Sequence, residues 1–234
     1  MDPALPGHFT TMQARGGAVQ GLDLHLERLR AAQRVLRGVA LDEAALRAQL
    51  RQALADAGGT CTVRIVCRHR SAPEVEVGPP RAPEAAALRV RSHRGLRASP
   101  RLKHLDLAFQ TAARQAARDA GFDDALLVGT DGRIAEGTFW NVLLQDGHGL
   151  VWPDAPVLEG VTQRRLQAAL DRAAMPQRRT VVRLEDLRDV RAAFVLNSRG
   201  LQVIGTIDDR RLPGDAAMAE RLRMLLAGDP WQLP

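Results

Sequence analysis

Two Asp-Gly dipeptides, Asp131-Gly132 and Asp146-Gly147, interrupt the apolar runs of the second half of the chain, and they constrain the fold more than any other feature. Glycine takes the positive φ that a tight hairpin demands, so each dipeptide marks a place where the chain turns back on itself. The segments around them, Asp124 to Val128, Ile134 to Gly137 and Trp140 to Gln145, read as short strands. Further strands are expected at Thr180 to Arg183, Ala193 to Asn197 and Gln202 to Ile207, which together predict an antiparallel or barrel-like sheet. Helices are expected from Leu105 to Ala120, closed by Gly121, from Gly160-Val161-Thr162 to Ala174, and from Asp215 to Ala227.

Upstream the texture differs. Phe9 to Ala14 reads as a strand ended by Arg15-Gly16-Gly17, and Leu22, Leu24, Leu26, Leu29, Ala32 and Leu36 mark an amphipathic helix over Leu22 to Arg37. Asp42 caps a second helix, Glu43 to Ala57, which Gly58-Gly59 stops. Strands follow at Cys61 to Arg68, Glu74 to Val77 and Leu88 to Ser92. The fold class expected is α+β, a mixed α/β chain in two domains. A smaller N-terminal α+β domain spans residues 1–94, a linker residues 95–101, and a C-terminal domain with the sheet and helices residues 102–234.

Charge and composition narrow the function. The net charge of +6 invites a nucleic-acid reading, but aromatics are 3% of the chain with no tyrosine, and the arginines are spread beside acidic residues, so no nucleic-acid partner is expected. Cys61 and Cys67 fall on one face of a strand, about 20 Å apart if extended, and read as two reduced thiols. No apolar run reaches membrane-spanning length and Met1 to Pro6 does not read as a signal peptide, so no membrane partner and a cytoplasmic location are expected. The histidines, at 8, 25, 69, 93, 104 and 148, show no ligand spacing, and no metal site is expected. One basic run, Arg89, Arg91, Arg94, Arg97 and Arg101, reads either as a solvated face or as a lure for an acidic substrate.

That run ends at the chain's single lysine. The 33 basic positions are 32 arginines and Lys103. Arginine serves every surface role here, so a lone lysine points to a task that a guanidinium cannot perform. A neutral amine can form a Schiff base, whereas arginine stays protonated. With pyridoxal phosphate as the partner of that amine, a site also needs a carboxylate for the pyridine nitrogen and donors for the phosphate. Glu136, directly after the first hairpin turn, is a candidate for the first, against the plainer reading of a solvated glutamate. Gly160-Val161-Thr162 offers backbone N–H groups, a hydroxyl and the positive end of a helix dipole for the second, against the plainer reading of a helix cap.

The order Phe9-Thr10-Thr11, His25-Leu26-Glu27-Arg28-Leu29, Leu102-Lys103-His104-Leu105, Asp131-Gly132-Arg133-Ile134-Ala135-Glu136-Gly137, Asn141, Leu158-Glu159-Gly160-Val161-Thr162 and Ile207-Asp208 resembles the class IV aminotransferases, the fold-type IV pyridoxal-phosphate enzymes. The likeness covers nearly the whole chain. It implies that Lys103 carries pyridoxal 5'-phosphate as an aldimine and that Glu136 pairs with the ring nitrogen. It also implies that Arg28, Gly160, Val161 and Thr162 bind the phosphate, joined by Ser198 in Asn197-Ser198-Arg199-Gly200, and that Asn141 belongs to the cofactor site. On the residues alone, Arg28 reads equally as a surface helix position and Ser198 as a turn former.

Within that family, Phe9-Thr10-Thr11 and Lys103-His104-Leu105 are most similar to 4-amino-4-deoxychorismate lyase, which releases pyruvate to leave 4-aminobenzoate. The branched-chain and D-amino-acid transaminases usually have glutamate at the Thr10 position, and branched-chain enzymes use a tyrosine that this chain lacks. Arg97, Arg101 and Thr10 are then candidate substrate contacts. Asp106, where the lyases commonly have asparagine, departs from the pattern and keeps an amino-acid transaminase as the alternative. A non-catalytic binding protein on the same fold is a reading of another class. Family members begin with a further strand, turn and Gly-Asp-Gly run, so an exposed edge is expected in the first domain. The resemblance also implies a homodimer with the cofactor cleft between the two domains.

Overall fold

The structure, a computed structural model, describes residues 5–69 and 71–234. They divide into two compact units, and the chain passes between them more than once. One unit holds the described part of Met1–Ala82 with Leu102–Leu107 and Asp229–Pro234; the other holds Pro83–Arg101 and Ala108–Gly228.

The first unit is a five-stranded antiparallel sheet backed by two helices. Its elements are β1 (Gly7–Arg15), β2 (Ala18–Gln20), α1 (Leu22–Arg37), α2 (Glu43–Ala57), β3 (Thr60–Arg68) and β4 (Glu74–Gly78). The C-terminal Trp231–Gln232 pairs with β2 at the edge, and β1 lies in the middle, paired with β3 along its whole length. Each helix has the ends its sequence predicts. Gly21 and Gly38 flank α1 in the left-handed conformation, and the Asp42 side chain accepts the Ala45 N–H at the start of α2. Leu22, Leu26 and Leu29 of α1 and Leu46, Leu50 and Leu54 of α2 repeat at helical spacing, and they bury against Met12, Ala14, Val63 and Ile65. Cys61 and Cys67 are both free thiols in this same core, as their spacing requires, and burial pushes the Cys67 thiol up to about 11.

The second unit is built on a nine-stranded mixed sheet. Its elements run β5 (Leu88–Arg94), α3 (Ala108–Asp119), β6 (Asp124–Val128), β7 (Ile134–Gly137), β8 (Asn141–Asp146), β9 (Gly149–Pro153), α4 (Val161–Arg172), β10 (Gln177–Thr180), a 3-10 turn at Leu184–Asp189, β11 (Ala192–Asn197), β12 (Gly200–Ile207), β13 (Arg210–Arg211) and α5 (Ala216–Ala227). The strand order is β10-β9-β8-β11-β12-β5-β6-β7, with β13 beside β12. Both Asp-Gly turns make antiparallel hairpins, β6 with β7 and β8 with β9.

The sheet is not antiparallel throughout, however. β5 runs parallel to β6 and β9 parallel to β10, and in each case a helix, α3 or α4, makes the crossover that a parallel pair needs. Alternation along β8 divides two cores. Val142 and Leu144 join Val90, Leu126, Ile134, Val151 and Val195 on the concave side of a curled sheet, while Leu143 joins Trp152, Phe194, Leu166 of α4 and Leu222 of α5 on the helical side.

The sequence reading therefore misplaced one strand and one helix start. β5, expected in the N-terminal domain, is hydrogen-bonded between β12 and β6, so residues 83–101 fold with the second unit and the stretch from Gly95 is no linker. The helix expected from Leu105 starts at Ala108, because residues 102–107 pair with the first unit in extended form. Among the described residues no helix is long and apolar enough to cross a membrane.

Phe194 is fully buried in the helical-side core, so Phe194→Ala should lower unfolding free energy in urea by about 3–5 kcal/mol. Leu233, 73% exposed, provides the control, with Leu233→Ala expected within about 0.5 kcal/mol of the parent.

Candidate active site

In the first unit the site begins with backbone pairing. The Phe9 N–H donates to the Lys103 carbonyl at 3.0 Å, the Leu105 N–H donates to the Gly7 carbonyl at 2.9 Å, and His8 and His104 form an antiparallel bridge. The lysine segment thus lies along the side of β1 left open by the short β2, and it covers part of the edge expected to be exposed there. Lys103 is half-buried, and its Nζ stands 4.8 Å from the centroid of the Phe9 ring, which the Arg64 guanidinium also approaches at 4.5 Å.

Residues of β1 with even numbers face α1, and His8 and Thr10 among them form a polar seam. His8 Nε2 meets Gln33 Oε1 at 3.1 Å, Thr10 Oγ1 meets His25 Nδ1 at 2.6 Å, and an Arg28 Nη2 N–H donates to the Thr10 hydroxyl oxygen. Thr10, a candidate substrate contact by sequence, is buried here as the link between Arg28 and His25. Burial holds the His8 imidazole below its ordinary value of 6.5, with the charges of Arg37 and Arg28 adding to the effect and the Gln33 hydrogen bond opposing it.

In the second unit Glu136, near the end of β7, is 4% exposed. Its carboxylate accepts the Leu158 N–H at 3.4 and 3.3 Å and an Asn141 Nδ2 N–H at 3.4 Å, and Asn141 Nδ2 also donates to the Leu158 carbonyl at 2.7 Å. Arg97 Nη1 lies 4.0 Å from Glu136 Oε1, both side chains being 5% exposed. Desolvation lowers the Arg97 pKa and the Glu136 charge opposes the shift. Arg97 therefore belongs with Glu136 and not with a solvated basic run. Of its expected companions, Arg89 pairs with Asp123 at 3.4 Å, and Arg91, Arg94 and Arg101 are exposed.

Asn141 leads on to the start of α4. A Cβ placed on Gly160 would come within 2.1 Å of Asn141 Oδ1, so only glycine lets the helix start approach so closely. Gly160 caps α4 without any side-chain hydrogen bond, leaving first-turn N–H groups and the positive end of the helix dipole as a seat for an anion. The Thr162 hydroxyl donates to the Asn197 carbonyl at 2.7 Å, which ties this turn to the β11–β12 turn carrying the half-buried Ser198. Thr162 thus offers an anion its N–H, its hydroxyl proton being already engaged. Glu136, Asn141, Gly160 to Thr162 and Ser198 form one connected set in the second unit.

The model of the family described as amino-transferase class IV matches residues 7–204. The chain belongs to that family. Comparison with curated proteins gives no match. Among solved structures, the fold IV-transaminase CpuTA1 from Curtobacterium pusillum is 27% identical, with a TM-score of 0.82 over 95% of this chain and 86% of that one. A hypothetical aminotransferase from Mycobacterium tuberculosis, in its apo form, is 24% identical at TM-score 0.82, covering 95% and 88%. A candidate 4-amino-4-deoxychorismate lyase from Legionella pneumophila is 21% identical at TM-score 0.85, covering 97% and 92%. The family's fold accounts for the curled mixed sheet and for the α+β unit that precedes it.

Sequence reasoning gave Arg97 another task and assigned Leu158 no role in the site. The Leu158 contribution is a backbone N–H, which no side-chain pattern announces.

Because His8 is held neutral by the fold, its contribution to stability is present above the unfolded value of 6.5 and is lost as pH falls through the lower folded value. Urea midpoints at about pH 7.5 and about pH 5.5 should therefore diverge more for the parent than for His8→Gln.

Proposed function

We propose that this pyridoxal-phosphate-dependent enzyme is a 4-amino-4-deoxychorismate lyase, releasing pyruvate to give 4-aminobenzoate. The carrying observation is that the two motifs favouring the lyase over the transaminases, Phe9-Thr10-Thr11 and Lys103-His104-Leu105, are hydrogen-bonded to one another across β1. In addition, Thr10, where the transaminases usually have glutamate, is held by Arg28 and His25. When bound, the cofactor supplies an aldehyde carbon that exchanges amines and a ring that withdraws electrons.

The residues then take these parts. Lys103 Nζ would hold the cofactor and, as a free amine, would take the proton from the substrate α-carbon. Glu136, beside the Arg97 guanidinium, would hold a proton at the ring nitrogen. The N–H groups at Gly160 to Thr162, with Ser198 and Arg28, bind the phosphate, and Asn141 fixes Glu136 relative to the Leu158 backbone. Arg101, exposed two residues before the lysine in sequence, is the proposed contact for a substrate carboxylate. The working species is proposed to be a cytoplasmic homodimer.

A second reading, amino-acid transamination, is favoured by one observation: the 27% identical relative is a transaminase. One assay separates the two. Purified holoenzyme given aminodeoxychorismate should release pyruvate and 4-aminobenzoate in equal amounts. Branched-chain or D-amino acids with 2-oxoglutarate should give no glutamate. Glutamate without 4-aminobenzoate would establish the transaminase. Lys103→Ala should lose at least about a hundredfold of either activity and the visible absorbance that borohydride bleaches in the parent. A colourless parent that stays colourless with added cofactor would mark a non-catalytic binder.

A further inference from the structure

Between Glu136 and Asn141 the chain makes the turn Gly137-Thr138-Phe139-Trp140, closed by the Gly137 N–H donating to the Trp140 carbonyl at 2.8 Å. Three consecutive side chains of this turn are gripped from one place. Thr138 Oγ1 donates to Asp124 Oδ1 at 2.5 Å, Trp140 Nε1 donates to Asp124 Oδ2 at 3.1 Å, and the Phe139 ring centroid lies 4.5 Å from the Arg114 guanidinium carbon. Arg114 Nη2 itself donates to Asp124 Oδ2 at 2.5 Å, and the Ala125 N–H donates to Oδ1 at 2.8 Å. The Trp140 indole closes over the start of the turn so tightly that a Cβ on Gly137 would fall 1.8 Å from the ring.

A buried carboxylate with four donors is a demanding way to hold a turn that apolar packing could hold more cheaply, and such groups serve conformational definition more than stability. What this turn defines is the placement of its two ends. Glu136 receives the Leu158 N–H and Asn141 Nδ2 at 3.3–3.4 Å and Asn141 reaches the Leu158 carbonyl at 2.7 Å, and both side chains hang from the two ends of this turn, so its backbone sets where they stand. Asp124 fixes that backbone, and α3 reaches it through Arg114.

We propose that Asp124, anchored by Arg114, is a positioning residue that sets Glu136 and Asn141 through Thr138 and Trp140. The proposal rests on the reading of Glu136 as the partner of the cofactor's ring nitrogen. Thr138→Val removes one hydroxyl at constant shape, Thr138→Ser keeps it, and Asp124→Asn presents an amide donor where Trp140 and Arg114 need an acceptor. In holoenzyme, Thr138→Val and Asp124→Asn should weaken cofactor binding about tenfold by absorbance titration and lower kcat with KM within about twofold. Both should move the visible absorbance band in the direction that Glu136→Gln moves it. Thr138→Ser should restore the parent's affinity and band. Should Asp124→Asn not fold, Thr138→Val carries the test alone. If Thr138→Val melts at a lower temperature yet keeps the parent's band and affinity, the network serves stability only and the proposal is overturned. If Glu136→Gln itself leaves band and affinity unchanged, the reading of Glu136 fails first and the proposal falls with it.

Discussion

Two backbone hydrogen bonds decide where the only lysine stands. Residues 102–107 would extend the helix that begins at Ala108 had they been left to local preference. Instead the Phe9 N–H and the Leu105 N–H are satisfied by the pairing with β1, and the segment stays out of the helix. Each such bond adds only about 1 kcal/mol net, yet their geometric consequence is large. A helical Lys103 would turn with its neighbours every 100° or so, whereas the strand-like one has a fixed side, over the Phe9 ring. The same pairing covers polar backbone on β1 that would otherwise be left open along the shortest stretch of the sheet, beyond the end of β2.

The second unit reaches a comparable fixity by other means. Alternation in β8 sends Val142 and Leu144 to one core and Leu143 to another, and Asn141, at the strand's first position, is left at the mouth of that alternation with its amide turned to Glu136. Glycine at position 160 then lets α4 begin directly against Asn141 Oδ1. A carboxylate and a helix N-terminus are so brought near one another through Asn141. That arrangement suits a ligand with a basic nitrogen at one end and an anion at the other.

Much of this was legible in the sequence where the signal is local. Both helices of the first unit carry their stops in view, as Asp42, Gly38 and Gly58, and their leucines repeat at helical spacing. The Asp-Gly hairpins were equally plain. What could not be read was non-local pairing. β5 resembles any edge strand, with Arg89, Arg91 and Arg94 along it, and only its partners β12 and β6 reveal that it lies inside a sheet. Charge misled in the same way at Arg97. A sequence shows five arginines at short intervals, but not that one of them is turned inward, because burial is decided by the strand and loop that cover it.

Arg97 also shows what the site asks of the fold. A unit charge pair at 4.0 Å gains about 4 kcal/mol at the effective dielectric typical of proteins, while removing each ion from water costs several. The pair therefore contributes little net stability, and its contacts with Leu158 and Asn141 are long for hydrogen bonds. The Glu136 carboxylate is thus held in a dry setting beside a buried guanidinium. Stability alone would have selected an apolar pair of similar size. Retaining the charge makes physical sense if the carboxylate serves an N–H donor on a bound ligand, since charge-assisted hydrogen bonds in a dry site are strong. The lowered Arg97 pKa expresses the same balance from the other partner: burial works against its charge, and only the presence of Glu136 resists.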